Sequence, residues 1–253
     1  MIFENSPAAR ILTGEGRITV HTGMGSVRCK KLILATNAFT HLVGGIDELG
    51  LMREQTPLIV KGIVTEPIDD ERWEQAGWPR MCGVNVQSQL FYSFAPTADR
   101  RILYVGGYYT SAPWDRNLLP EVEWRLKQEG QQHLEAFFPA FKGVKTAQTW
   151  GGPVSITPDW IPHVGFARDP RILYACGCWG NGMPLGAQNG LTLAELVLDR
   201  KTENTSMWFV QRKKQRWPSR TLAGVLATSV IFRRRRGNRK KAKLLSPPLR
   251  FLG

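Results

Sequence analysis

Residues 172–198 constrain the fold more than any other stretch of the chain. Ile172-Leu173-Tyr174-Ala175-Cys176 is a short apolar run that ends at Gly177, passes Gly180, Asn181 and Gly182, and continues in helical spacing from Ala187 to Leu198. That order predicts a buried strand, a glycine-rich turn and a helix starting near Leu185. Glycines in such a turn let backbone N–H groups approach a ligand, and the helix start adds the positive end of its dipole. An anionic or electron-rich acceptor suits that geometry. A tight strand-to-helix connection with no ligand suits it as well. The spacing is not G-x-G-x-x-G, because Leu185 stands where the third glycine belongs and glycine returns only at 186.

A second run, Lys30-Lys31-Leu32-Ile33-Leu34-Ala35-Thr36-Asn37, is apolar without alternation and ends in small and polar residues. It reads as a strand buried on both faces of an α/β sheet, with its ligand-binding end at 35–37. Before it, Ala9–Leu12, Arg17–His21 and the residues from Val27 read as three strands joined by the Gly14-Glu15-Gly16 and Gly23-Met24-Gly25 turns. Between the two α/β pieces, 56–67, Leu90–Phe94 and Ile102–Gly107 read as an antiparallel sheet, and Pro120 to Phe138 has helical spacing. The expected fold is therefore α/β plus α+β. Residues 1–50 and 150–203 form one discontinuous domain, 51–149 an inserted antiparallel domain, and 204–253 an extension.

Charge sets the extension apart. All 21 acidic residues lie in 1–203, whereas 204–253 carries 14 basic residues and no acidic one. The high isoelectric point is thus expected to describe a tail rather than the folded body. Trp208, Phe209, Val210 and Trp217, with apolar residues on to Phe232, read as an amphipathic element ahead of the basic block 233–243. Such a pair fits peripheral contact with an anionic membrane, non-specific contact with nucleic acid, or a docking helix with a solvated end; specific nucleic-acid recognition is not expected. No apolar run approaches the ~20 residues of a spanning helix. Four scattered cysteines, no zinc spacing and no secretory signal lead to the expectation of a cytoplasmic protein without a metal site.

Few side chains advertise chemistry. Asp159, between Thr157 and Pro162, either positions a carboxylate or makes an Asx turn. Trp150, before two glycines, either walls a pocket or fills a core. The four histidines show no metal spacing and no evident carboxylate partner, so His163 reads as a structural histidine. G-x-S-x-G, H-E-x-x-H and Walker patterns are absent from the sequence.

Four segments, taken in order, resemble the FAD-dependent oxidoreductases of the D-amino-acid oxidase superfamily, and among them the γ-glutamylputrescine oxidase-like amine oxidases. They are Leu32-Ile33-Leu34-Ala35-Thr36-Asn37-Ala38-Phe39; Asp99 through Arg101 to Gly106-Gly107; Trp150-Gly151-Gly152 through Thr157-Pro158-Asp159 to Pro162-His163-Val164-Gly165; and Tyr174-Ala175-Cys176-Gly177 through Gly182 to Ala194-Glu195-Leu196. The resemblance implies an incomplete FAD/NAD(P)-binding Rossmann-like domain with an inserted substrate domain. It implies oxidation of the C–N bond of an amine or amino acid to an imine. Ala35, Thr36, Asn37, Gly152, Gly177, Gly180, Asn181, Gly182 and Met183 would then face FAD, and Tyr92, Trp179 and Asn181 the substrate. Gly152 stands at the position of the covalent flavin cysteine of some relatives, so FAD would be held non-covalently. No catalytic acid or base is implied. The family's N-terminal G-x-G-x-x-G has no counterpart here, so the chain is expected to be a fragment whose N-terminal dinucleotide-binding half is missing or comes from another polypeptide. An inactive remnant of such an oxidase, or a module acting through its basic tail, are the rival expectations.

Overall fold

A computed structural model describes residues 1–78, 82–86, 92–110 and 123–219, together with Leu222 and Leu226. The described chain forms two compact units, one from 1–58, 153–219 and Leu222, the other from 59–110, 123–152 and Leu226.

In the first unit, β1 (Ala8–Thr13), β2 (Ile18–Thr22) and β3 (Gly25–Cys29) form an antiparallel meander, as the alternation and the two glycine turns predict. A second sheet has the order β10–β11–β4, with β4 at Leu32–Leu34, β10 at His163–Phe166 and β11 at Ile172–Cys176. β11 runs antiparallel to β10 and parallel to β4, pairing Ile172, Leu173 and Tyr174 with Leu32, Ile33 and Leu34. Alternation along β11 divides the core. Ile172, Tyr174 and Cys176 pack with Ile11, Ile18, Leu34 and Ile46 on one face. Leu173 packs on the other with Val164 and with Leu193 and Leu196 of helix α3 (Gly182–Val197).

Two expectations are corrected here. β4 is three residues long and is not buried on both faces: it is an edge strand, and Ile33 is 42% exposed. The helix starts at Gly182, not near Leu185. Pro184 is tolerated because it falls in the first turn, where its missing N–H has no intrahelical acceptor to serve.

In the second unit a five-stranded sheet has the order β6–β7–β8–β5–β9, with β5 at Thr56–Thr65, β6 at Val84–Val86, β7 at Tyr92–Pro96, β8 at Ile102–Thr110 and β9 at Thr146–Ile156. β6–β7 and β7–β8 are antiparallel, as expected for the middle of the chain. Helix α1 (Asp70–Ala76) is capped by the Asp69 carboxylate, which accepts the Arg72 N–H at 2.9 Å, and stops at Gly77 in the left-handed conformation. Helix α2 (Glu123–Phe137) covers the sheet, while Pro120 lies outside the described residues. Phe94 is wholly buried among Tyr104, Phe137 and Phe138, in a core completed by Trp73, Trp78 and Phe141. Trp150 is not a core residue: it is 42% exposed and lies over Gly62, where a Cβ would come within 2.3 Å of its ring.

The segment after α3 differs from its expected form. Residues 207–217 are not an amphipathic helix but a strap on the first unit. Val210 makes a parallel bridge with Val164, the Gln211 N–H donates to the Val164 carbonyl at 2.8 Å, and Trp217 exchanges its N–H and C=O with Arg53. The basic block 233–243 lies outside the described residues. No helix among the described residues is long and apolar enough to cross a membrane.

Candidate functional site

The turn between β11 and α3 is built from unusual backbone. Gly177 (φ 82°), Trp179 (φ 50°) and Gly180 (φ 82°) are all in the left-handed region, which costs a tryptophan of order 1 kcal/mol or more. Stacking offsets part of that cost. The ring of Trp179 lies 3.7 Å from that of Trp160, at 13°, and Trp160 itself has φ 67°. A Cβ at Gly177 would meet Thr157 Cγ2 at 2.5 Å, so only glycine fits. α3 then begins with no side-chain cap and no acidic residue in its first turn. Its first N–H groups have no intrahelical acceptor, and the residues there, Gly182 and Met183, offer no competing negative charge. That arrangement fits the electron-rich edge of a flavin ring, and Asn181 and Met183 are exposed beside it.

The end of β4 comes to the same turn. Asn37 (φ 42°) donates through Nδ2 to Cys178 Sγ at 3.3 Å, and Thr36 shares a hydroxyl hydrogen bond of 2.8 Å with Thr40. Ala35 is exposed. The structure thus brings Ala35, Thr36 and Asn37 together with Gly177, Trp179, Gly180, Asn181, Gly182 and Met183. Gly152 lies in β9 and Tyr92 in β7, both in the second unit, and the side chain of Tyr92 is outside the described residues.

Beneath the turn lies a polar cluster that the sequence reading missed. Glu54 is 1% exposed and accepts the Tyr174 hydroxyl; His163 Nδ1 is 3.3 Å away, Arg216 3.4 Å and Lys214 3.9 Å. His163 therefore has a carboxylate partner, 109 residues away in sequence, contrary to expectation. Lys214 also caps the Tyr174 ring at 4.4 Å and donates to the Phe166 carbonyl at 2.9 Å. Burial pushes the Lys214 ammonium below the usual lysine range, although Glu54 opposes the shift. Asp159 makes the expected Asx turn, accepting the Ile161 N–H at 3.3 Å, but it is also paired with Arg212 at 2.7 Å. Arg212, Lys214 and Arg216 thus serve as counter-charges within the folded body, and the extension is not merely a solvated tail.

Burial raises the Asp159 carboxyl, but the Arg212 guanidinium, the Ile161 N–H and the charge of His163 together bring it below the ordinary range. Its pairing therefore stabilises the fold above the unfolded value of about 3.9, and that contribution is lost as the pH falls through the lower folded value. Asp159→Asn should be less stable than the native chain at neutral pH, and the gap should close in acid. Urea midpoints measured from neutral pH down to about pH 3 test this; a gap constant with pH would contradict it.

The sequence aligns with known proteins over most of its length. The family model described as FAD dependent oxidoreductase matches residues 1–196. The probable oxidoreductase OrdL of Haemophilus influenzae is 27% identical over 199 residues, 78% of this chain and 42% of that protein. Glycine oxidase of Bacillus licheniformis is 24% identical over 218 residues, 84% of this chain and 54% of that protein. Among solved structures, glycine oxidase from Geobacillus kaustophilus superposes with a TM-score of 0.67 at 17% identity, covering 84% of this chain and 53% of that one. L-proline dehydrogenase from P. horikoshii gives 0.63 at 21% identity, covering 82% and 53%. The chain spans about half the length of the relatives it matches, and the structural likeness shows a shared mixed α/β fold with antiparallel sheets.

Proposed function

The chain belongs to the FAD-dependent oxidoreductase family, and from that premise we propose that it serves the oxidation of the C–N bond of an amine or amino acid to an imine, as in the γ-glutamylputrescine oxidase-like members. FAD is the cofactor of the family; when bound, it supplies the two-electron acceptor for that oxidation. The observation that carries the reading is the convergence of the Asn37 turn and the Gly177–Gly182 turn at the uncapped, acid-free start of α3. In this reading the amides at the α3 start orient the ring and stabilise negative charge on it, while Ala35, Thr36 and Asn37 line its side. Trp179 and Asn181 lie on the substrate side in this reading. FAD is held non-covalently in this reading, because Gly152 carries no nucleophile and burial pushes the Cys176 thiol up, away from the reactive thiolate. All four cysteines are free, which suits a reducing cytoplasm.

The sequence has no G-x-G-x-x-G to hold the pyrophosphate end of the cofactor, and in this reading a segment that carries one packs against the open edge of β4. Parallel sheets need cover on both faces. Yet Ile33 is exposed there, and the outer face of α3 presents Met183 (89% exposed), Ala187, Leu191 (52%), Ala194 and Leu198 (59%) with no charge among them. A contiguous exposed apolar stripe of this kind marks a surface that another segment covers. Because Ile33 and Leu191 are exposed, Ile33→Lys and Leu191→Lys should leave the unfolding free energy within about 0.5 kcal/mol. Both should reduce binding of an environment-sensitive hydrophobic dye. Unchanged dye fluorescence would place the apolar surface elsewhere.

The experiment for the function is anaerobic addition of a panel of amines and amino acids to the FAD-loaded chain. Loss of the visible flavin band with at least one compound is expected. A loaded protein that no amine or amino acid bleaches would contradict the proposed reaction.

A further inference from the structure

Gln55 precedes β5 and is 9% exposed. Its amide nitrogen donates to the Asn37 carbonyl, and its amide oxygen accepts the Ser155 hydroxyl. Ser155 is wholly buried, and its oxygen accepts the Gly177 N–H at 2.9 Å, while its carbonyl accepts the Trp179 N–H at 3.2 Å. The direction of every bond is fixed. The Asn37 carbonyl can only accept, so the nitrogen of Gln55 must face it and the oxygen must face Ser155. The single Ser155 proton then goes to Gln55, leaving lone pairs for the Gly177 N–H. Gln55, through Ser155, therefore links two backbone positions in the left-handed region, Asn37 at φ 42° and Gly177 at φ 82°.

We propose that Gln55 is a positioning residue that holds the Asn37 turn and the Gly177–Gly182 turn in register, through Ser155, so that both face one flavin ring. The inference rests on the flavin reading above and assigns the residue that makes two separate turns into one site. The turns also touch directly, but only through a weak contact: Asn37 Nδ2 donates to Cys178 Sγ at 3.3 Å, and sulfur is a poor acceptor.

Two substitutions test it. Gln55→Met keeps the length but removes both hydrogen bonds, and should weaken FAD binding about tenfold at every pH. Gln55→Glu is conditional. Its protonated carboxyl reproduces the donor to Asn37 and the acceptor for Ser155, whereas its carboxylate sets two acceptors face to face. Burial beside a carbonyl raises that carboxyl above its ordinary value of about 4.3. FAD dissociation constants measured between about pH 5 and 8 should be flat for the native chain, uniformly weaker for Gln55→Met, and recover toward native only in acid for Gln55→Glu. A residue that merely fills space would show no such recovery. Gln55→Met within twofold of native, or Gln55→Glu without pH dependence, would overturn the proposal. If the native chain binds no FAD, the flavin reading fails and the register is decided by hydrogen exchange. Gln55→Met should then lower protection of the Gly177 amide about tenfold while core amides of β11 keep theirs; equal protection at Gly177 would overturn it.

Discussion

Replacing Glu54 by alanine should lower the unfolding free energy by about 3–5 kcal/mol, because it leaves buried partners without their counter-charge. His163 Nδ1, the Tyr174 hydroxyl, Lys214 and Arg216 all converge on this one carboxylate. Truncation also removes the charge that holds Lys214 protonated against burial. The Lys214 value in the folded variant falls further below the unfolded lysine value of about 10.4. Between those two values the unfolded chain binds more protons than the folded one, so the variant should regain stability as the pH rises through that window. Glu54→Gln, which keeps an acceptor for Tyr174, should cost less than alanine. Urea unfolding at neutral and alkaline pH measures all three effects. A loss below about 1 kcal/mol for Glu54→Ala would show that the cluster contributes little.

Gly177→Ala should be nearly as costly, about 2–4 kcal/mol, from two separable causes. The residue must take φ 82°, and its Cβ would meet Thr157 Cγ2 at 2.5 Å. Removing that methyl with Thr157→Ser in the same chain should recover roughly half of the loss, leaving the backbone strain. Flavin binding should fall with Gly177→Ala whether or not stability is rescued, because the turn that faces the ring is displaced. Gly186→Ala is the control. A Cβ there meets nothing within 4 Å, and α3 gains up to about 1 kcal/mol from the better helix former. Equal behaviour of the two alanine variants would contradict the account of the turn.

Local pattern made much of the fold legible. The meander of β1–β3 followed from alternation between glycine turns, and β11 with its turn followed from an apolar run ending at Gly177. What pattern could not supply was context beyond the segment. Leu32-Ile33-Leu34 has the composition of a strand covered on both faces, but it pairs with β11 alone, and that depends on what lies at the sheet edge. The helix starts three residues before the position the spacing predicts, since Pro184 falls in its first turn and is tolerated there. Trp150 allows two readings in sequence, a pocket wall or a core residue, and packing over Gly62 leaves it half exposed.

The site was legible at its backbone and hidden at its supports. Asn37, Gly177 and Gly182 carried signals of their own: small residues at a strand end, and glycines before a helix. Glu54 and Gln55 carried none, since two polar residues before a hydrophobic strand read as a loop, and their partners at 155, 163, 174 and 216 are remote in sequence. One signal was available in the extension. Arg212, Lys214 and Arg216 alternate with Lys213 and Gln215, the period of an extended segment with one face turned inward. Counted only as part of a basic tail, they give no sign of a buried face. Read by period two, they call for buried acids, and Asp159 and Glu54 are those acids.

In the proposed reading this chain supplies the ring-facing part of a flavin site and not its pyrophosphate-binding part. Comparing the dissociation constants of FAD and riboflavin for the 253-residue chain, by quenching of flavin fluorescence, tests it most directly. The account predicts that both bind, within a few-fold of each other, and that Gly177→Ala weakens both alike. Absence of binding by either flavin, or tight binding of FAD with none of riboflavin, would contradict it.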